Sequence, residues 1–135
     1  MTAVRPVVLT ASLANFVVLA DATVVVVALP SLARDLGFSG RGLPWVVNGY
    51  SLAFGCCLLI GGYAVDRLGP RLPFVLGMAL FSLGSLGCAA AGTPEALVLG
   101  RLVQGVGGAL FSPATLAVVS ASASGPAERA RALAT

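Results

Sequence analysis

Long apolar runs, separated by short polar segments, make up most of the 135-residue chain. There are four such runs, and they cover about residues 7–29, 45–65, 72–91 and 97–120. An α-helix rises about 1.5 Å per residue, so about 20 apolar residues are enough to cross the hydrocarbon core of a bilayer. The pattern predicts an all-α fold, an integral membrane bundle of four transmembrane helices, in which Pro30 closes the first helix.

The composition favours the membrane class over a soluble domain. Hydrophobic residues make up 58% of the chain and charged residues 10%, whereas soluble domains have about 25% charged residues. Cys56, Cys57 and Cys88 lie in apolar runs, where they are typical small hydrophobic residues. There is no histidine, which excludes Ser-His and Cys-His catalysis and disfavours a transition-metal site. We therefore expect no enzymatic activity, no metal and no cofactor.

The arginines predict how the chain is oriented in the membrane. With the N-terminus inside the cell, five arginines lie on the cytoplasmic side and two on the outer side. The five are Arg5, Arg67, Arg71, Arg129 and Arg131, and the two are Arg34 and Arg41. Because positive residues accumulate on the cytoplasmic side, this distribution favours a multi-pass protein of the cell membrane with a cytoplasmic N-terminus. The net charge of +3 has this topological role, so we expect no nucleic-acid partner.

Two charged residues lie inside apolar runs. Asp21 lies near the middle of the first run and Arg101 near the start of the fourth. A charge at the centre of a membrane helix costs about 2.5–3.5 kcal/mol on insertion scales. Asp21 either caps a local break or takes up and releases a proton. Arg101 either tethers carbonyls or a carboxylate, or controls the protonation of an acid such as Asp21. Thr23, two residues after Asp21, points elsewhere on the helix but can hydrogen-bond a backbone carbonyl. Gln104 lies one turn after Arg101, on roughly the same face. Both are candidates for lining a substrate cavity.

Small and aromatic residues indicate how the helices pack. In the second run small residues recur every four positions, and Trp45 and Tyr50 lie where interfacial aromatic residues are common. The small residues are Gly49, Ala53, Cys57 and Gly61, followed in the fourth run by the pairs Gly105/Ala109 and Gly108/Ser112. Such stripes allow close helix packing or form a sliding surface between moving bundles. Pro113 removes a backbone hydrogen bond and is expected to kink or loosen the fourth helix.

The turn between the second and third runs carries a cluster of charges. Gly62, Asp66, Arg67, Gly69 and Arg71 lie in a Gly-x3-Asp-Arg-x-Gly-x-Arg sequence. The cluster is consistent with an ordinary positive cytoplasmic loop. It is equally consistent with an acid and two arginines that lock one conformation by charge pairing.

Together these motifs resemble the major facilitator superfamily, and within it the drug:proton antiporters with fourteen spans. Segment 21–30 is similar to the first-span motif of that subgroup, although Val26 stands where an asparagine is usual. Segments 62–71 and 100–113 resemble the loop and fourth-span motifs of the superfamily. Segment 128–132 resembles the loop after span four. In the 62–71 turn and just after it, basic residues usual in the family are replaced by Pro70 and Leu72.

The resemblance implies roles for particular residues. Arg101 corresponds to the arginine implicated in proton transfer and Asp21 to the acid linked to coupling. Asp66 and Arg71 correspond to loop charges that stabilise an outward-open state. The family fold has twelve or fourteen spans in two halves, each made of two inverted three-helix repeats. The chain would then be the N-terminal portion, and the remaining spans would be its partners.

The resemblance predicts a multidrug exporter that exchanges protons for small amphipathic or cationic drug-like molecules across the lipid bilayer. Two alternatives stay open from the sequence. One is a self-contained four-span exporter that works as a homodimer, similar to the small multidrug transporters. The other is a truncated remnant that inserts into the membrane and transports nothing.

Overall fold

The computed structural model describes residues 4–38 and 40–122. It contains four helices, α1 (Val4–Asp35), α2 (Trp45–Leu68), α3 (Arg71–Ala89) and α4 (Pro94–Ser122). Each helix is long and apolar enough, by length and composition, to cross a membrane. The predicted all-α bundle of four long apolar helices is confirmed.

The first helix is longer than the sequence predicted. It continues through Pro30 and ends at Asp35, so the prediction that Pro30 closes it was wrong. A proline inside a helix removes one backbone hydrogen bond, and the bonds on either side keep this helix continuous. The chain leaves the helix at Gly37, whose φ of 65° is a left-handed conformation that glycine adopts without a steric penalty. There the Phe38 N–H donates to the Ala33 carbonyl at 3.2 Å.

Helix α4 is the centre of the bundle and contacts each of the other three helices. Its contacts with α3 form a seam of glycines. Gly77 and Gly84 on α3 face Gly107 and Gly100 on α4, and a Cβ built on any of the four would lie 3.1 Å or less from a carbonyl oxygen of the facing helix. Because only glycine leaves room for this approach, the two backbones lie in direct contact. This seam was not predicted from the sequence, although both helices carry two glycines at the same spacing of seven.

Helix α2 approaches α4 on a different face. A Cβ on Gly105 would lie 2.5 Å from the Tyr50 carbonyl, and a Cβ on Gly61 would collide with the Ala109 carbonyl. Pro113, which lies inside α4, has no N–H to donate to that same Ala109 carbonyl. The helix nevertheless continues through Pro113. Gly61 therefore lets α2 pack against the point where Pro113 interrupts the hydrogen bonds of α4.

The glycine seam between α3 and α4 predicts a matched pair of substitutions in α3. A Cβ at Gly84 would lie 2.7 Å from the backbone nitrogen of Gln104, whereas a Cβ at Gly87 would meet nothing within 4 Å. We expect Gly84→Ala to force the helices apart at a cost of about 1–3 kcal/mol. Gly87→Ala should leave stability unchanged or slightly higher, since alanine favours helix. Thermal unfolding of the purified protein in detergent measures both, and equal melting temperatures would contradict the seam.

Candidate functional site

A buried ion pair joins the first helix to the fourth. Nη1 of Arg101 donates to Oδ2 of Asp21 at 2.5 Å. Among residues 4–38 and 40–122 this is the one salt bridge. Only 2% of Arg101 is exposed, while the Asp21 side chain keeps 18% of its surface exposed. The arginine is therefore buried inside the bundle, whereas the carboxylate is partly accessible from outside it.

The local sequence explains why Asp21 faces α4. Ala14, Val18 and Asp21 are spaced by four and then three residues, so they share one face of α1. Ala14 is buried and Val18 packs against the same apolar core cluster. On the other side, Arg101 and Gln104 are three residues apart and share a face of α4.

Gln104 closes a ring of hydrogen bonds around the ion pair. Its Nε2 donates to Oδ1 of Asp21 at 3.0 Å, and its Oε1 accepts from Nη1 of Arg101 at 2.8 Å. Each oxygen of the Asp21 carboxylate thus has a donor from α4. Such bonds are stronger than neutral ones because one or both groups are charged.

Helices α2 and α3 complete the site. Nε of Arg101 donates to the Val46 carbonyl at 3.1 Å, and the Arg101 guanidinium lies 4.6 Å from the centre of the Tyr50 ring. The Cys88 thiol lies 3.5 Å from Oε1 of Gln104. All four helices therefore contribute to one polar cluster. We define the polar cluster as Asp21, the Val46 carbonyl, Tyr50, Cys88, Arg101 and Gln104.

The two charges of this ion pair depend on each other. In a low-dielectric interior, removing one partner of a buried ion pair costs about 3–5 kcal/mol, since the other charge is left uncompensated. Protonation of Asp21 would remove the negative charge and leave the positive charge of Arg101 with the Val46 carbonyl and Gln104. The charge of one partly exposed carboxylate therefore contributes to the contact between α1 and α4.

Thr23 lies outside the polar cluster. Its side chain is exposed and its hydroxyl donates to the Leu19 carbonyl of its own helix at 2.9 Å. A hydroxyl that donates to a carbonyl one turn earlier already has a hydrogen bond within its own helix. Of the two residues predicted to line a cavity, the structure places Gln104 at the ion pair and Thr23 on the outer surface of α1.

The charged turn between α2 and α3 is exposed. Within the described residues no salt bridge joins Asp66 to Arg67 or Arg71, and the Arg67 guanidinium lies 5.4 Å from the centre of the Tyr63 ring. Gly69 has a φ of 77°, so it supplies the left-handed turn between the helices. A Cβ on Gly62 would meet nothing within 4 Å. Segment 128–132 lies outside the described residues.

Three members of the polar cluster were not predicted from the sequence: the Val46 carbonyl, Tyr50 and Cys88. Tyr50 was assigned to the membrane interface and Cys88 to apolar packing, yet both approach the ion pair. Tyr50 carried a usable signal, because it lies more than one turn inside an apolar helix, where an aromatic ring can face a buried cation. Cys88 carried none, since its role depends on which residue of α4 it faces.

Comparison with known proteins identifies the family of the chain. The family model of the Major Facilitator Superfamily matches residues 11–135. Puromycin resistance protein pur8 of Streptomyces alboniger is 44% identical over 119 residues, which are 88% of this chain and 24% of the relative. Cephamycin export protein CmcT of Amycolatopsis lactamdurans is 45% identical over 121 residues, 89% of this chain and 25% of the relative.

A third relative shows the same pattern. Methylenomycin A resistance protein of Bacillus subtilis is 43% identical over 111 residues, which are 82% of this chain and 24% of the relative. The chain thus spans about a quarter of the length of these relatives. With a family match over nearly all of its residues and four helices suited to crossing a membrane, the chain belongs to the major facilitator superfamily, whose members are multi-pass membrane transporters and not enzymes.

Proposed function

We propose that the chain forms the N-terminal part of a proton-coupled multidrug exporter, an antiporter of the fourteen-span subgroup. The observation that carries the proposal is the partly exposed Asp21 carboxylate, held by Arg101 and Gln104 in an otherwise apolar bundle. The names of the relatives support a drug-like substrate class, because they refer to resistance to methylenomycin A and puromycin and to export of cephamycin. The substrates are small amphipathic or cationic drug-like molecules.

Proton binding and drug binding then favour different arrangements of the helices. When Asp21 is ionised, the ion pair holds α1 against α4. When Asp21 takes up a proton, that attraction is lost and α1 is released. A ligand shifts such an equilibrium by its difference in affinity for the two arrangements. If the drug binds better to one arrangement and the proton to the other arrangement, binding of either ligand drives release of the other ligand. This coupled exchange is antiport.

The remaining predicted residues take supporting roles in this proposal. The N-terminus lies in the cytoplasm, as the arginine distribution favours. Asp66, Arg67 and Arg71 then lie on the cytoplasmic side, exposed and without salt bridges to one another. Their charges are available to other parts of the complete protein and bias it towards one conformation. Gln104 contributes to the substrate cavity beside Asp21, to which it donates, and Thr23 contributes from the exposed surface of α1, against the remaining spans of the complete protein.

Drug uptake into inverted vesicles tests the function. The complete transporter is reconstituted so that the vesicle lumen corresponds to the cell exterior, and a fluorescent lipophilic cation is added outside. We expect the drug to accumulate when the lumen is acidic and the lumen to become less acid as it does so. A protonophore should abolish the accumulation. Uptake that is unchanged after the pH gradient has collapsed would contradict antiport.

The same assay separates the two alternatives. If the 135-residue chain alone dimerises with concentration and shows drug-driven proton flux, it is a small homodimeric exporter. If neither the chain nor the complete protein transports while both insert into the membrane, the chain is a non-transporting remnant.

A further inference from the structure

Tyr50 makes an unusual contact at the centre of the bundle. The Arg101 guanidinium lies over its ring, 4.6 Å from the ring centre. Its hydroxyl is buried and has no hydrogen-bond partner within the described part of the chain. A buried tyrosine usually pairs its hydroxyl, so hydrogen bonding does not account for this residue. The ring face, and not the hydroxyl, makes the polar contact.

The glycines of α4 fix the position of this ring. A Cβ on Gly108 would lie 3.0 Å from Oη of Tyr50, and a Cβ on Gly105 would lie 2.5 Å from the Tyr50 carbonyl. The ring also stacks with Phe54, with centroids 5.9 Å apart and planes at 19°. The close approach of α2 to α4 therefore places the ring against Arg101 and leaves it little freedom to turn away.

The groups that face Arg101 differ in how they respond to a proton. Asp21 on α1 is the one formal negative charge in the polar cluster, and Cys88 on α3 reaches Arg101 through Gln104. The Tyr50 ring on α2 has a negative electrostatic face that attracts a cation, more strongly where water is excluded. Once Asp21 is protonated, the ring and the neutral oxygens of Val46 and Gln104 are the negative groups left to Arg101.

We propose that Tyr50 is a positioning residue for proton coupling, whose ring stabilises the Arg101 guanidinium while Asp21 is protonated. This inference rests on the proposed antiport function. In the ionised state the carboxylate already neutralises much of the arginine charge, so the ring contributes less. The ring therefore favours the arrangement in which Asp21 is protonated. Removing the ring should move the pH dependence of transport towards more acidic values.

Two substitutions separate the ring from the hydroxyl. In the complete transporter, we expect Tyr50→Phe to keep the wild-type pH midpoint of drug efflux because the hydroxyl has no partner. Tyr50→Leu should lower the midpoint by about one pH unit, which is about a tenfold loss of proton affinity. Phe54→Leu is the packing control, since it removes the stacking partner without removing the cation contact, and its midpoint should be unchanged.

A graded series keeps the test independent of folding. Phenylalanine analogues with one, two and three ring fluorines, incorporated at position 50, weaken the negative ring face with little change of shape. We expect the midpoint to fall stepwise with each fluorine. A constant midpoint across the series, or equal shifts in Tyr50→Phe and Tyr50→Leu, would overturn the inference.

The Asp21→Asn variant distinguishes failure of the inference from failure of the proposed function. If pH-dependent efflux survives in that variant, the antiport assignment itself is wrong. If the variant loses pH dependence while the fluorinated series does not shift, the assignment stands and Tyr50 has no part in coupling.

Discussion

Replacing Arg101 with alanine is expected to abolish proton-driven efflux by the complete transporter and to destabilise it by about 3–5 kcal/mol. The substitution leaves the Asp21 carboxylate in the membrane without a counter-charge. It also takes the hydrogen-bond donor from the Val46 carbonyl and from Oε1 of Gln104. Drug efflux in vesicles and thermal unfolding in detergent measure the two effects.

Two further variants make the Arg101 result specific. Arg41→Ala removes an exposed arginine and should leave efflux and stability near wild type. Arg101→Lys keeps the charge, but one ammonium group cannot reproduce the separate bonds that the Nε and Nη1 groups make. We expect it to insert and to transport slowly. Efflux by Arg101→Ala at the rate of Arg41→Ala would exclude the arginine from coupling.

Asp21→Asn is expected to separate folding from coupling. Asparagine has nearly the shape of aspartate and keeps one oxygen that can accept from Arg101 at the position of Oδ2. It cannot exchange a proton, so we expect normal insertion into the membrane but no efflux driven by a pH gradient. The residual drug flux should no longer depend on pH between acid and neutral conditions, because the responding group is gone.

Asp35→Asn is the matched control for this variant. Asp35 is exposed at the last residue of the same helix, so its substitution removes the same charge without touching the polar cluster. It should transport with wild-type pH dependence. Wild-type coupling in Asp21→Asn, measured beside this control, would assign the proton to another residue.

The helices and the two central charges could be predicted from the sequence for simple physical reasons. Long apolar runs predict membrane helices because backbone polar groups must be satisfied internally in lipid. Asp21 and Arg101 stand out because charges are costly in such runs. Asp21 was named as one acid that Arg101 could control, but local sequence does not show which carboxylate the arginine contacts, since 80 residues separate the two. Gln104 was placed on the face of Arg101 by helical spacing alone, and it lies in the polar cluster.

The remaining features depend on which surfaces meet. Tyr50 and Cys88 enter the polar cluster because α2 and α3 approach α4 through glycines, and a single sequence does not show which glycines face each other. The end of α1 was placed at Pro30 because proline is a strong helix breaker. The helix instead ends at Asp35, followed by the left-handed turn at Gly37. That Thr23 points away from Asp21 and bonds a backbone carbonyl was predicted from helical spacing, and its hydroxyl donates to the Leu19 carbonyl.

Proton release on drug binding tests the central claim most directly. The purified complete transporter is placed in weakly buffered detergent solution with a pH indicator, and a saturating lipophilic cation is added to the wild type, Asp21→Asn and Asp35→Asn. The proposed exchange at Asp21 predicts that wild type and Asp35→Asn release protons equally and that Asp21→Asn releases none. Equal proton release from all three proteins would contradict the account, because the exchanged proton would then come from a group other than Asp21.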